Sequence, residues 1–287
     1  MYPANFEYFA PETLEEAFSV LERFGDEAKV LAGGQSLIPL MKLRFASPRA
    51  LVDINRIEGL DTLSANGELR IGALVRHKTC ERSDALRGRW RLLGDAAPLI
   101  SDPIVRNVGT VCGSLAHADP QGDWGSVMLA LGATVEVGGP TGTRTIPIDS
   151  FFRGPFESAI EPTEIVTGVT AAGSGERASG TYLKLERKVG DFATVGAAVQ
   201  LALDGPTVRR AGIGLTGVGA TNMRAEAAEQ ALAGSSLDGE AIAEAARLAA
   251  EGAQPRDDHR GSAAYKRRVV QVFVERGLRT AAGATAS

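Results

Sequence analysis

LAGGQSLI, residues 31–38, is the stretch on which the reading of this chain turns. It follows a short apolar run, Val30 to Ala32, and precedes another, Ala50 to Ile54, an alternation that predicts a small βαβ-like unit with the glycine pair at the turn. Gly33 and Gly34 let the backbone come close to an anion and aim consecutive N–H groups at it, and Ser36 adds a hydroxyl donor. A pyrophosphate fits that description. No lysine follows as in a nucleoside-triphosphate loop, which points to phosphates that are held and not transferred. Taken alone, the same stretch reads more simply as a tight strand-to-helix turn.

A second stretch complements the first: Thr110-Val111-Cys112-Gly113-Ser114-Leu115-Ala116-His117-Ala118-Asp119-Pro120, followed by Gln121, Gly122 and Asp123. Read as a loop, its small residues again permit backbone approach. Thr110 and Ser114 offer hydroxyls, and Asp123 is suited to accept hydrogen bonds from ribityl or ribose hydroxyls. His117 and Asp119 read equally as a local turn network.

Outward from these stretches, Thr13 and Glu16 form a capping-box pattern before Leu14, Ala17, Phe18 and Leu21 at helical spacing, and Gly25 and Asp26 break that helix. From Glu68 onward strand-like runs occupy 69–74, 133–137, 144–148 and 165–170, with a helix expected over 85–97. The small, polar stretch 171–180 separates this region from three further strands, 182–185, 195–203 and 208–215, and from alanine-rich helices at 225–232, 239–251 and 262–279. The expected class is α+β. Residues 1–175 form one domain with subdomains of 1–57 and 58–175, and residues 176–287 form an antiparallel sheet covered by helices.

The chain has 287 residues, 44% hydrophobic and 23% charged, as in a soluble protein with room for two or three compact units. A net charge of −4 and an aromatic content of 6% argue against nucleic acid as a partner. No apolar run reaches membrane-spanning length and the start resembles no signal peptide, so a cytoplasmic location is expected. Two cysteines, Cys80 and Cys112, are too few for an iron–sulfur cluster or a four-cysteine zinc site, and His77, His117 and His259 are scattered, so no metal is expected in this chain.

Other motifs have simpler readings. Gly212-Ile213-Gly214-Leu215-Thr216-Gly217 matches a dinucleotide fingerprint, but the strands before it read as a meander and no parallel strand follows its helix. Lys266, Arg267 and Arg268 read as a solvated helix face, with a subunit contact as the alternative, and Glu161 to Glu164 as a turn before a strand. No Ser/His/Asp arrangement suits acyl transfer, and no residue is assigned a catalytic role.

The two glycine stretches do not stand alone. Together with FEYFAPETLEEA (6–17), AGGQSLIPLMKLRFASP (32–48), LVDIN (51–55), IGALVRH (71–77), DPIVRNVGTVCGSLAHADPQGDW (102–124) and YLKLERKVGDFATVGAAV (182–199), they resemble the FAD-binding medium subunit of carbon monoxide dehydrogenase and related molybdenum hydroxylases, a group that includes the flavin domain of xanthine dehydrogenase. The resemblance runs along nearly the whole chain. It implies a two-subdomain FAD-binding domain of the vanillyl-alcohol-oxidase or PCMH type, followed by a C-terminal antiparallel sheet-and-helix domain.

By the same resemblance, Ala32, Gly33, Gly34, Gln35, Ser36, Leu37 and Ile38 on one side and Thr110, Val111, Cys112, Gly113 and Ser114 on the other clamp the FAD pyrophosphate. Ile100, His117, Asp123, Val166 and Lys184 match positions lining the flavin site, and Phe192 falls near the isoalloxazine ring or packs in the core. The molybdenum cofactor and [2Fe-2S] clusters are implied on a large and a small partner subunit, in a dimer of heterotrimers. Electrons are implied to pass through FAD to an acceptor such as a quinone, which would bring the protein to the inner face of the membrane. Two residues depart from the family pattern. Cys112 stands where a glycine is common, so that either this position needs only ordinary dihedrals or the loop has shifted, and Gln35 stands where some carbon monoxide dehydrogenases have histidine.

Overall fold

The computed structural model describes residues 2–173, 175 and 177–285, the side chains of 284 and 285 excepted. Of the separator stretch 171–180, Ser174 and Glu176 lie outside the described residues. The N-terminal layer consists of β1 (Glu7–Phe9), α1 (Leu14–Phe24), β2 (Ala28–Leu31), α2 (Leu37–Lys42) and β3 (Ala50–Asp53), with the strands parallel in the order β1-β3-β2. One half of the capping box forms as read, with Thr13 Oγ1 accepting from Glu16 N, whereas the Glu16 carboxylate accepts from Glu12 N; Gly25 ends α1 at φ +52°, and the helix buries Ala17, Leu21 and Phe24 against this sheet.

The middle layer holds β4 (Leu63–Ser64), β5 (Leu69–Gly72), α3 (His77–Arg82), α4 (Arg91–Ala96), α5 (Pro103–Val108), α6 (Val111–His117), α7 (Asp123–Leu131), β6 (Thr134–Gly139), β7 (Gly142–Pro147), β8 (Phe152–Gly154), β9 (Glu157–Ser158) and β10 (Ile165–Ala171). Its main sheet is antiparallel in the order β4-β5-β10-β6-β7. The helix expected over 85–97 is in fact broken into single turns and the short α4. Gly88, at φ +59°, turns the chain out of the helical path, and Pro98 closes the segment.

The C-terminal layer is an antiparallel sheet of β11 (Ala178–Leu185), β12 (Val195–Asp204), β13 (Thr207–Thr216) and β14 (Met223–Arg224), with α8 (Glu226–Leu232), α9 (Gly239–Gly252) and α10 (Ala263–Thr285). It is covered on both faces. Along β12, Val195, Ala197, Val199 and Leu201 join the core beneath the C-terminal helices, whereas Ala198 joins the core of the middle layer. Every residue of α7 is buried, because this helix lies between the middle core and β12 and β13.

GIGLT proves to be the end of strand β13, with Gly217 just beyond it, and Gly212 and Gly214 serve that packing. A Cβ at Gly212 would stand 1.9 Å from Ala130 O, and one at Gly214 2.0 Å from Ser126 O, so their absence lets strand and helix touch. Lys266, read as part of a solvated face, is buried on α10 and donates to Arg256 O and to Asp258. Among the described residues no helix is long and apolar enough to cross a membrane.

Candidate cofactor site

The turn between β2 and α2 is fixed by what its glycines touch. A Cβ at Gly33 would stand 2.5 Å from Val108 O and 2.7 Å from Gly109 Cα. Val108 ends α5 and Gly109 leads into Thr110, so the two glycine stretches, far apart in sequence, meet backbone to backbone. Gly34 takes φ +68°, the left-handed turn through which the chain enters α2. Ile38 N donates to Gly34 O and Leu40 N to Ser36 O, whereas the N–H groups of Gly34, Gln35, Ser36 and Leu37 have no acceptor among the described residues. Four successive free donors at a helix start form an anion-binding concavity. The Ser36 hydroxyl makes no capping bond, and the Gln35 amide folds back toward Gly33 O at 3.4 Å.

The second stretch is largely helix, where a loop was expected. Thr110 is the N-cap of α6: its Oγ1 accepts from Gly113 N at 3.1 Å, so this hydroxyl is committed to the cap and not free for a ligand. Val111 N donates to Val75 O and Ser114 N to Thr110 O, which leaves the Cys112 N–H as the free donor of the first turn. Cys112 itself has helical dihedrals and no positive φ. Its Sγ is buried beneath β5, 3.6 Å from Gly72 O and 3.7 Å from Ile71 O, and burial pushes its thiol far above the ordinary range. Of the two readings of Cys112, ordinary dihedrals hold, and the side chain faces the core. Asp119 is a turn residue, accepting from Gln121 N, and His117 packs its ring on Phe156 at 5.3 Å.

Four residues that join the two stretches were not singled out from sequence. Asn55 Nδ2 donates to Ala32 O at 2.8 Å and Arg76 Nη2 to Asn55 Oδ1, while Arg76 Nη1 donates to Val108 O. Asp53 accepts from Asn55 and from the Tyr8 hydroxyl at 2.6 Å. The available signal was a set of polar residues directly after β3 and directly before α3, in LVDIN and IGALVRH. Beside them His77 is buried: its Nδ1 accepts from Trp124 Nε1 at 3.0 Å, and Gly109 packs on its ring. Burial, with Arg106 and Arg76 nearby, lowers its pKa to about 4, so the ring is neutral at pH 7.

A second polar cluster ties the middle layer to the C-terminal sheet. Asp123 Oδ1 accepts from the Tyr182 hydroxyl at 2.7 Å and Oδ2 from Lys184 Nζ at 2.9 Å, and Lys184 also donates to Leu99 O at 2.8 Å. Burial raises the Asp123 pKa against the pull of Lys184. Asp123 was read as an open acceptor for sugar hydroxyls; its two oxygens are instead engaged within the chain. Ile100 and Val166 lie in the middle core. Phe192 is 51% exposed, which excludes core packing, and its backbone is held by Arg260, which donates to Phe192 O and pairs with Asp191. A hollow of about 740 Å³ lies elsewhere, lined by Glu12, Glu15, Arg56 and Glu58 among others, and its mainly acidic lining does not suit an anion.

The free N–H groups of 34–37 and of Cys112, with the close approach at Gly33, suit a ligand carrying adjacent negative charges along its backbone, as a dinucleotide pyrophosphate does. Neither His77 nor Asp123 is free to move a proton to or from such a ligand.

Residues 4–171 match the family described as the FAD binding domain in molybdopterin dehydrogenase, and residues 180–281 match the CO dehydrogenase flavoprotein C-terminal domain. The chain is 40% identical over 282 residues to the carbon monoxide dehydrogenase medium chain of Hydrogenophaga pseudoflava, covering 98% of each chain. It is 38% identical to the 6-hydroxypseudooxynicotine dehydrogenase complex subunit alpha of Paenarthrobacter nicotinovorans, over 97% of this chain and 95% of that one. A solved structure of the H. pseudoflava carbon monoxide dehydrogenase lacking the Mo-pyranopterin moiety superimposes with a TM-score of 0.95 at 41% identity, covering 99% of both chains.

Proposed function

Because the chain belongs to the family of FAD-binding subunits of molybdopterin dehydrogenases, we propose that it is the flavin-bearing medium subunit of a molybdenum hydroxylase of the carbon monoxide dehydrogenase type. The observation that carries this reading is the meeting of Gly33 with Val108 and Gly109, which brings the free N–H groups of 34–37 beside the start of α6. Bound FAD would supply a store for two electrons, filled singly from the iron–sulfur clusters of a small subunit and emptied to an external acceptor such as a quinone.

The chain's own residues bind, orient and shield. Ala32 to Ile38 and Thr110 to Ser114 frame the pyrophosphate, which is held through the free backbone N–H groups of Gly34 to Leu37 and of Cys112, with Ser36 adding a hydroxyl. Ile100, His117, Val166 and Phe192 stand along the flavin, and Asp123 contributes by holding the Lys184 ammonium in place. The domain division is 1–175 and 176–287. The partners are a large molybdenum-binding subunit and a small iron–sulfur subunit, in a dimer of heterotrimers in the cytoplasm, meeting the inner membrane face only through the acceptor.

The near-equal identity to the 6-hydroxypseudooxynicotine dehydrogenase subunit favours one second reading, a flavin subunit serving oxidation of an N-heterocycle. Purified with its copurifying chains, the protein should show flavin absorption, and carbon monoxide should bleach it. A complex that releases no flavin on denaturation overturns the flavin reading. Bleaching by an N-heterocycle and not by carbon monoxide selects the second.

A further inference from the structure

We propose that Arg76 and Asn55 form a brace that holds the two phosphate loops at one spacing and so sets the affinity for the pyrophosphate; the inference rests on the flavin-subunit reading. The Ala32 and Val108 carbonyls stand at the bases of the two loops, and no covalent link shorter than the whole intervening chain fixes their separation. One guanidinium and one amide span that gap: Arg76 Nη1 donates to Val108 O, Arg76 Nη2 to Asn55 Oδ1, and Asn55 Nδ2 to Ala32 O at 2.8 Å.

The orientation of the amide is forced. Its oxygen faces a guanidinium, which only donates, and its nitrogen faces two acceptors, Ala32 O and Asp53 Oδ1. The Tyr8 hydroxyl and the Asn55 N–H hold Asp53 in turn. Because a trans peptide is planar, with its C=O and N–H on opposite sides, fixing Ala32 O also fixes the direction of the Gly33 N–H and the entry into the free donors that follow. Gly33 rests on Val108 O, the same atom that Arg76 holds, so the brace and the glycine contact act at one point. Arg76 and Asn55 are positioning residues, acting through the loops.

The test titrates the full chain, freed of flavin, with FAD, and with ADP and lumiflavin as competitors. Asn55→Asp keeps the size and the bond to Arg76 but sets a carboxylate oxygen against Ala32 O and Asp53. Arg76→Lys keeps the charge but cannot fork between two acceptors. Each should weaken FAD about tenfold or more, the scale of a lost charge-assisted hydrogen bond. ADP should weaken by the same factor and lumiflavin not at all, since only the pyrophosphate is held by the loops. Tyr8→Phe, at the outer end of the network, should change FAD affinity by less than about threefold. Unchanged FAD affinity in both Asn55→Asp and Arg76→Lys overturns the brace, as does equal weakening of ADP and lumiflavin, which marks a general loss of structure. If the unaltered chain takes up no FAD, the flavin-subunit reading itself fails and the brace with it.

Discussion

Gly33→Ala puts the smallest possible side chain at the point where the two loops touch. Its Cβ would stand 2.5 Å from Val108 O and 2.7 Å from Gly109 Cα, against 3.4 Å for the start of ordinary contact. Both neighbours are backbone atoms, so no rotamer change gives relief. The loops must part by most of an ångström or bear the strain, and overpacking of this kind costs about 1–3 kcal/mol. The flavin-free chain can relax by letting the loops separate. On the proposed reading the loaded chain cannot, because there the pyrophosphate takes donors from both. The strain therefore falls mainly on the bound state, and at 1.4 kcal/mol per decade the dissociation constant for FAD should rise about 5- to 150-fold. Fluorescence quenching on titrating the flavin-free chain with FAD measures this directly. Gly239→Ala, at the first turn of α9 with nothing within 4 Å of the new Cβ, should leave the constant unchanged and serves as the control. A Gly33→Ala chain that binds FAD within twofold of the unaltered protein would refute the claim that this contact shapes the cradle.

His77 makes stability depend on pH. Its folded pKa of about 4 lies below the unfolded value near 6.5, so its contribution is fully present above about pH 6.5 and is lost as pH falls toward 4, by about 3 kcal/mol. Urea unfolding between pH 7 and 4 should show a shallower slope in His77→Gln than in the unaltered chain, and equal slopes would count against the assignment. Asp123→Ala removes the nearer of the two carboxylates that pair with the buried Lys184 ammonium, leaving Glu186 at 3.6 Å, and should cost about 3 kcal/mol. Adding Lys184→Met should recover much of that loss, and flavin still bound in Asp123→Ala should still turn over. Gly214→Ala drives a Cβ to 2.0 Å from Ser126 O and should lower the urea midpoint by the equivalent of about 3 kcal/mol, whereas a midpoint unchanged within error would mean that strand and helix are not in contact.

Local pattern carried far, because elements that bury one face betray their period. The capped first helix, the glycine turn after β2, the three long C-terminal strands and the helices after them follow from spacing alone. Where the pattern misled, short-range chemistry was ambiguous. The segment 110–117 is rich in small residues and reads as a loop, although Thr110 was already the signal of a helix N-cap. The fragments of 85–97 looked like one amphipathic helix because the left-handed turn at Gly88 leaves no mark on the apolar spacing. Asp123 looked like an open acceptor because burial cannot be seen in a sequence, and its partners Tyr182 and Lys184 belong to a distant strand.

The sequence by itself determined that this chain carries two glycine-rich, anion-compatible stretches in a mixed helix-and-strand fold that resembles a flavin subunit. Only the tertiary structure decided that they meet. Their contact at Gly33, their brace through Asn55 and Arg76, and the inward turn of Cys112 all depend on which backbone carbonyl lies against which residue across long separations. Such pairings arise when the parallel sheet and the antiparallel sheet pack together, and no local periodicity records them.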